Sequence, residues 1–314
     1  MSVLLAITGW DVDHWLERFR RLLPDRSVVA LGQDYDPAKI DYVMSWKHPA
    51  GSLQHLPHLK AIFSLGAGVD HLLQDPQLPK VPVARVVDPD LTARMSEYVV
   101  LHCLSVLRQQ KRYQQQQQQK LWFDDRDQPS ASDCRVGVMG LGVLGQDALK
   151  KLRIMGFQTA GWSRNPRQID QAACFSGADG LKDFLAQTDI LVVLLPLTPD
   201  TRGLVNAALL RGLARDGVLG GPVLINAGRG GLQVEADILT CLNEGSLKEA
   251  VLDVFETEPL PQSSPLWTHP AVTLTPHNAA MSAPEAIGKL VVAQIARLER
   301  GEPLLHQVEI ARGY

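Results

Sequence analysis

Cysteine is scarce in this chain. Its four residues, Cys103, Cys134, Cys174 and Cys241, are scattered with no C-x-x-C. The pattern offers no disulfide framework and fits reduced, mostly buried thiols in the cytoplasm. Nine histidines show neither metal-ligand spacing nor H-E-x-x-H, so no metal site is expected. No apolar run approaches the roughly 18 residues of a membrane span. The net charge of −3 gives no electrostatic case for binding nucleic acid or an anionic membrane. The opening stretch MSVLLAITGWDVDHW lacks a basic n-region and carries acids early, so it reads as a first strand and not as a signal peptide. What remains is the composition of a soluble globular protein, 45% hydrophobic and 21% charged, in a chain of 314 residues, enough for about two domains.

The chain is organised around Arg135 to Arg167, which reads as strand, glycine turn, helix, strand and basic loop. Val136, Val138 and Met139 suit a buried parallel strand. Gly140, Gly142 and Gly145 then give G-x-G-x-x-G. The first permits the turn, the second lets backbone approach a pyrophosphate, and the third lets the helix pack close to the strand. Leu144, Ala148, Leu149, Leu152 and Met155 form the apolar face of that helix. Its first amides, from Val143 and Leu144 onward, face the phosphates. The motif alone is a weak signal; a strand before it and a helix after it make it a dinucleotide site.

The next strand, Phe157 to Trp162, bears on which dinucleotide. NAD sites place Asp or Glu about 20 residues beyond the glycines, on the ribose 2′-OH. Here Trp162 is followed by Ser163, Arg164, Asn165, Pro166 and Arg167. A hydroxyl and two guanidinium groups suit a 2′-phosphate, so the expected cofactor is NADP(H).

Residues 1 to about 95 alternate strands (Val3–Ile7, Val28–Leu31, Tyr42–Trp46, Leu59–Ser64, Val81–Val87) with helix, a first α/β unit with a parallel sheet. Its fourth strand ends in Leu65-Gly66-Ala67-Gly68-Val69-Asp70, where backbone N–H groups around Ala67 and Gly68 can form an anion-binding nest. Trp46 either walls that pocket or belongs to the core. One long helix is expected from Thr92 to about Gln119, its end the glutamine run Gln114–Gln119, read as solvated. The strand Ile190–Leu195 ends in a Pro-rich loop through Pro196 and Thr201 that lies beside the cofactor.

Three later strands end in loops carrying Arg229, Glu258 and His277 in turn. Reduction of a carbonyl by hydride leaves an alkoxide that needs a proton, and histidine, with an ordinary pKa of about 6.5, is suited to give it. His277 fits that role. A carboxylate beside it favours the imidazolium; Glu258 fits, with Glu256 as the alternative. Arg229 fits the cation that holds a 2-oxo acid's carboxylate and polarises its carbonyl.

The segments G-L-G-V-L-G, L-L-P-L-T-P-D-T-R-G, I-N-A-G-R-G-G, L-D-V-F-E-T-E-P-L-P and T-P-H-N-A-A resemble, in order, the D-isomer-specific 2-hydroxyacid dehydrogenase family. L-G-A-G-V-D, W-S-R, S-P-L-W-x-H-P and the terminal A-R-G-Y resemble its branch that reduces glyoxylate and hydroxypyruvate. The resemblance implies two Rossmann-like or flavodoxin-like α/β domains with parallel sheets and the active site in the cleft between them. It implies a discontinuous substrate domain over 1–96 and 285–314, and an NADP-binding domain over 97–284. It places the catalytic arginine, glutamate and histidine on Arg229, Glu258 (the glutamate before proline) and His277. Trp46, Leu65, Ala67 and Gly68 are the further substrate positions, and Leu195, Pro196, Thr201, Ala227, Gly228, Asp253 and Asn278 the further cofactor positions. Family members are usually homodimers. Where the family commonly has a larger residue, Gly228 is expected to loosen the arginine loop. The implied activity is NADPH-dependent reduction of small 2-oxo acids, glyoxylate to glycolate or hydroxypyruvate to D-glycerate. The alternatives are a dehydrogenase for a bulkier substrate and an NADP(H)-sensing regulatory protein without turnover.

Overall fold

Short apolar runs bounded by turn residues become buried parallel strands in both parts of the chain. The computed structural model describes residues 2–124 and 126–313. It divides into two units, Met1–Leu91 with Ser282–Tyr314, and Thr92–Met281.

The first unit contains β1 (Ser2–Ile7), α1 (Val12–Leu22), β2 (Ser27–Ala30), β3 (Ile40–Trp46), β4 (Ala61–Ser64), α2 (Asp70–Leu73) and β5 (Val83–Ala84). Its parallel sheet runs β2-β1-β3-β4-β5, the flavodoxin-like order, which reverses direction between β1 and β3. Both faces of β1 are covered, so Val3, Leu4, Leu5 and Ala6 are all fully buried. α1 starts where the Asp11 side chain accepts from the His14 N–H, and Asp13 and Arg20/Arg21 sit at the dipole ends that favour them. β5 is shorter than the expected Val81–Val87. Pro82 has no N–H to give a ladder, and past Ala84 the backbone turns to the C-terminal tail. Arg85 N–H donates to His306 O at 3.2 Å, and Val308 N–H donates to Val83 O at 2.8 Å. Val308 is buried in this unit; Tyr314, last of the A-R-G-Y segment, lies outside the described residues.

The expected single helix from Thr92 to Gln119 is two helices, α3 (Pro89–Leu107) and α4 (Gln110–Gln118). Gln109 stands between them in the left-handed region, at φ 54°. α4 buries none of its residues, so no packed face holds it in line with α3.

The second unit continues with β6 (Arg135–Met139), α5 (Val143–Ile154), β7 (Gln158–Ser163), β8 (Ala173–Ser176), α6 (Gly177–Ala186), β9 (Ile190–Val193), α7 (Ala207–Arg211), β10 (Val223–Asn226), α8 (Glu235–Asn243), β11 (Glu249–Leu252) and β12 (Val272–Leu274). The sheet order is β12-β11-β10-β9-β6-β7-β8, all parallel, with the Rossmann reversal between β6 and β9. Side chains alternate: Ile190 and Val192 join the core under α3 and α5, Leu191 and Val193 the core under α6, α7 and α8. β8 is an edge strand whose partly exposed residues carry neither alternation nor a continuous apolar run.

The chain then returns to the first unit as α9 (Pro284–Glu299). Ile287, Val291 and Ile295 are buried against β1 and α1, each contributing about 1.5–3 kcal/mol. A Cβ on Gly288 would meet Leu22 Cδ1 at 2.5 Å, so glycine sets how closely α9 and α1 approach. Arg21 with Glu285 at 2.5 Å and Arg26 with Glu299 at 2.6 Å pair near the helix ends. Among the described residues, no helix is long and apolar enough to cross a membrane.

Candidate active site

The three glycines after β6 have three different reasons to be glycine. Gly140 has φ 109°, and a Cβ on it would lie 2.6 Å from Leu194 O. A Cβ on Gly145 would lie 1.8 Å from Gly140 O, so this residue lets α5 close onto the strand exit. Gly142 has nothing within 4 Å of its Cβ position. The protein itself does not demand glycine there, and the open space leaves the backbone accessible to a ligand. Gly142 is the N-cap of α5, and no side chain caps the helix. The first amides, at Val143, Leu144 and buried Gly145, are left for an anion, which fits a dinucleotide's pyrophosphate.

At the end of β7, Trp162 is buried and donates from Nε1 to Gly177 O at 2.9 Å. Ser163 donates to Asn165 O at 2.8 Å, which curls the basic loop; Arg164 and Arg167 are exposed. Within that loop the sequence holds no carboxylate, but the fold supplies one: Arg164 Nη1 is 3.0 Å from Oδ2 of Asp200. Asp200 sits 36 positions along the chain, in the loop after β9, beyond the reach of local spacing. That loop contains buried Leu195 and half-buried Pro196. Thr201 ties it, donating to Pro196 O at 2.7 Å and accepting from Thr198 N–H at 2.8 Å.

Arg229, Glu258 and His277 follow β10, β11 and β12, three neighbouring strands of one sheet. The arginine loop is tightly held. Asn226, fully buried, accepts from Gly228 N–H at 3.0 Å and donates to Gln233 Oε1 at 2.8 Å, and Gln233 donates to Val254 O at 2.9 Å. Ala227 and Gly228 are both buried. A Cβ on Gly228 would meet Leu232 Cδ1 at 2.9 Å and Leu195 O at 3.0 Å; one on Gly230 would meet Phe255 O at 1.8 Å. The expectation that Gly228 loosens the loop is therefore corrected: glycine is what allows it to pack this closely. Arg229 donates from Nη1 to Gly228 O at 2.9 Å.

His277 has φ 53°, an unusual backbone for a residue with a Cβ. Asp253, 1% exposed, braces it. Its backbone O accepts from His277 N–H at 2.8 Å, and its carboxylate accepts from Asn278 N–H at 3.0 Å, Ala279 N–H at 3.1 Å and the Thr275 hydroxyl at 2.7 Å. Because Thr275 donates to Asp253, the Tyr98 hydroxyl, 2.8 Å away on α3, donates to Thr275. Burial holds the Tyr98 phenol well above its ordinary value, so it stays a donor. The Asn278 side chain is exposed at the end of this loop.

His277 Nδ1 lies 2.7 Å from Glu258 Oε2, and Glu258 Oε1 accepts from Phe255 N–H at 3.1 Å. Glu256 faces elsewhere: it accepts from Glu235 N–H at 3.3 Å, at the start of α8. Glu258 is thus the histidine's partner. With Nδ1 engaged and the side chain 35% exposed, Nε2 is the nitrogen that can exchange a proton with a ligand.

In the first unit, Leu65 is buried while Gly66, Ala67 and Gly68 are half-buried. Ser64 Oγ, 3.1 Å from Gly66 O and 3.0 Å from Gly68 O, shapes the loop. Among the described residues the N–H groups of Ala67 and Gly68 meet no protein acceptor. Trp46 is half-buried, stacked on Trp10 with centroids 4.6 Å apart, and a Cβ on Gly66 would reach its Cζ3 at 2.4 Å. Behind it lies a group that spacing did not reveal: Ser45 Oγ is 2.9 Å from His48 Nδ1, and His48 Nε2 is 3.0 Å from Asp75 Oδ2. Gly51 and Gln77 N–H groups complete the Asp75 carboxylate at 3.0 and 2.9 Å. The His48 and Asp75 side chains are 0% and 2% exposed, so the trio reaches no substrate and anchors the loop after Trp46.

Residues 100–279 match the model of the D-isomer specific 2-hydroxyacid dehydrogenase NAD binding domain. A glyoxylate/hydroxypyruvate reductase A of Serratia proteamaculans is 38% identical over 320 residues, covering all of both chains. An NADPH-dependent glyoxylate/hydroxypyruvate reductase of Sinorhizobium meliloti, solved with NADP and sulfate, is 48% identical with a TM-score of 0.94, covering 100% of this chain and 99% of that one. A probable 2-hydroxyacid dehydrogenase of Rhizobium etli, solved with NADP, HEPES and L(+)-tartaric acid, is 45% identical with a TM-score of 0.95 over the same shares. This chain belongs to the D-isomer-specific 2-hydroxyacid dehydrogenase family.

Proposed function

We propose that the protein is an NADPH-dependent reductase of small 2-oxo acids, with glyoxylate and hydroxypyruvate as substrates. The observation that carries this reading is the 2.7 Å pair of His277 and Glu258, beside Arg229 on adjacent strand ends of the sheet whose β6 bears the glycine turn. The names and bound NADP of the relatives support it.

A bound NADPH supplies the hydride. The rest is done by this chain. Arg229 holds the substrate carboxylate and polarises the adjacent carbonyl. Within the first unit, the N–H groups of Ala67 and Gly68 can receive a carboxylate, and the Trp46 ring packs against Gly66 of the same loop. His277 gives its Nε2 proton to the carbonyl oxygen as that becomes an alkoxide. Glu258 accepts from Nδ1 and fixes the ring with Nε2 free to face the substrate. The α5 amides take the pyrophosphate, and Ser163, Arg164 and Arg167 the 2′-phosphate.

The test is loss of NADPH absorbance with glyoxylate, hydroxypyruvate, pyruvate and phenylpyruvate, each repeated with NADH. Fast oxidation of NADPH with either small acid is the expected result. Oxidation with phenylpyruvate alone points to a bulkier substrate. Binding of NADPH with no oxidation by any of them overturns the reading in favour of nucleotide sensing.

A further inference from the structure

Asp200 belongs to neither the catalytic set nor the glycine turn, yet it meets the residue on which NADPH recognition turns. β7 and β9 are the two neighbours of β6. Strands are about 4.8 Å apart, so the loops after β7 and β9 stand roughly 10 Å apart, one on each side of the glycine turn. Arg164, from the first loop, spans that gap to Asp200, on the second, at 3.0 Å. The Asp200 loop is fixed by the Thr198–Thr201 tie to Pro196 O. Its carboxylate therefore stays near the turn when Arg164 moves. The two side chains are 43% and 73% exposed, so the pair is wet and readily broken.

We infer that Asp200 is a specificity-determining residue, one that competes with the cofactor's 2′-phosphate for Arg164 and so limits the preference for NADPH over NADH. The inference rests on the reading that Arg164 receives that phosphate. A phosphate monoester carries nearly two negative charges at neutral pH. When NADPH binds, Arg164 exchanges one anion for another, and Asp200 is left beside a like charge. NADH brings no 2′-phosphate, so the ion pair can persist.

The test is calorimetric binding of 2′,5′-ADP and of 5′-AMP to the full-length protein and its Asp200→Asn and Arg164→Ala variants. Loss of an exposed ion pair and of one like-charge contact is expected to tighten 2′,5′-ADP about three- to ten-fold in Asp200→Asn. Binding of 5′-AMP stays the same or weakens, and the kcat/KM ratio of NADPH to NADH rises by a similar factor. Unchanged 2′,5′-ADP binding, or equal tightening of both nucleotides, overturns the role of Asp200. If Arg164→Ala binds 2′,5′-ADP as well as the parent does, the assignment of Arg164 to the phosphate fails instead, and the two failures are distinct.

Discussion

His277 sits in a backbone conformation that residues with a Cβ rarely adopt, at a cost of about 1–2 kcal/mol. The surrounding hydrogen bonds to Asp253 hold it there. His277→Ala is expected to lower turnover about 10²- to 10⁴-fold while NADPH still binds by fluorescence titration; undiminished turnover removes His277 as the acid. Thr275→Val leaves a buried carboxylate oxygen of Asp253 one donor short, with an expected loss of about 1–3 kcal/mol in urea unfolding. Thr275→Ser should recover most of it, and a Thr275→Val protein as stable as its parent would show that the hydroxyl braces nothing. At this scale the sequence is informative where chemistry and strand ends coincide, as for Arg229, Glu258 and His277. It is silent where partners are far apart: Arg164 with Asp200, and Ser45 and His48 with Asp75, meet only once the sheets order their strands. The role of Gly228 was hidden for a related reason. Its environment consists of Leu195 O and Leu232, which no local pattern brings to it.

The β6–turn–α5 unit separates the needs of the fold from those of the ligand. A Cβ on Gly145 strikes Gly140 O at 1.8 Å, whereas one on Gly142 meets nothing. Gly145→Ala is therefore expected to destabilise the protein by about 1–3 kcal/mol through overpacking. Gly142→Ala should melt within about 0.5 kcal/mol of its parent yet bind NADPH at least about ten-fold more weakly. Equal NADPH affinity in Gly142→Ala would show that no cofactor backbone passes there. Elements with a strong apolar signal, such as β6, β9 and α9, were legible in advance. The α3–α4 break was not. No glycine or proline marks it, and a polar run from Arg108 to Gln119 carries no face whose absence of packing can be read from sequence alone. β8 escaped notice because an edge strand needs only one partner and little burial.

Across the whole molecule, several carboxylates are held below their ordinary range. Burial pushes Asp75 up, but the Gln77 and Gly51 N–H groups and His48 outweigh it and hold it low. The Arg26 guanidinium lowers Glu299. Groups whose folded value lies below the unfolded one stabilise fully above the unfolded value, near pH 4, and lose that contribution as pH falls through the folded value. Burial lowers His102 and His306, so the urea midpoint is expected to begin falling as pH drops through about 6.5 and to fall further below about pH 4 as the carboxylates protonate. Asp75→Asn should flatten that fall, and an unchanged acid limb in the variant would remove Asp75 from the account.

The first unit is made in two instalments. Its sheet and α1 leave the ribosome early, but α9, whose Ile287, Val291 and Ile295 seal that sheet's apolar face, follows only after all of Thr92–Met281. At about 5–20 residues per second, the wait is roughly 10–40 s. For that interval the nascent chain displays an uncovered hydrophobic face while the contiguous second unit is free to fold, so a chain stalled before Pro284 is a natural client for chaperones.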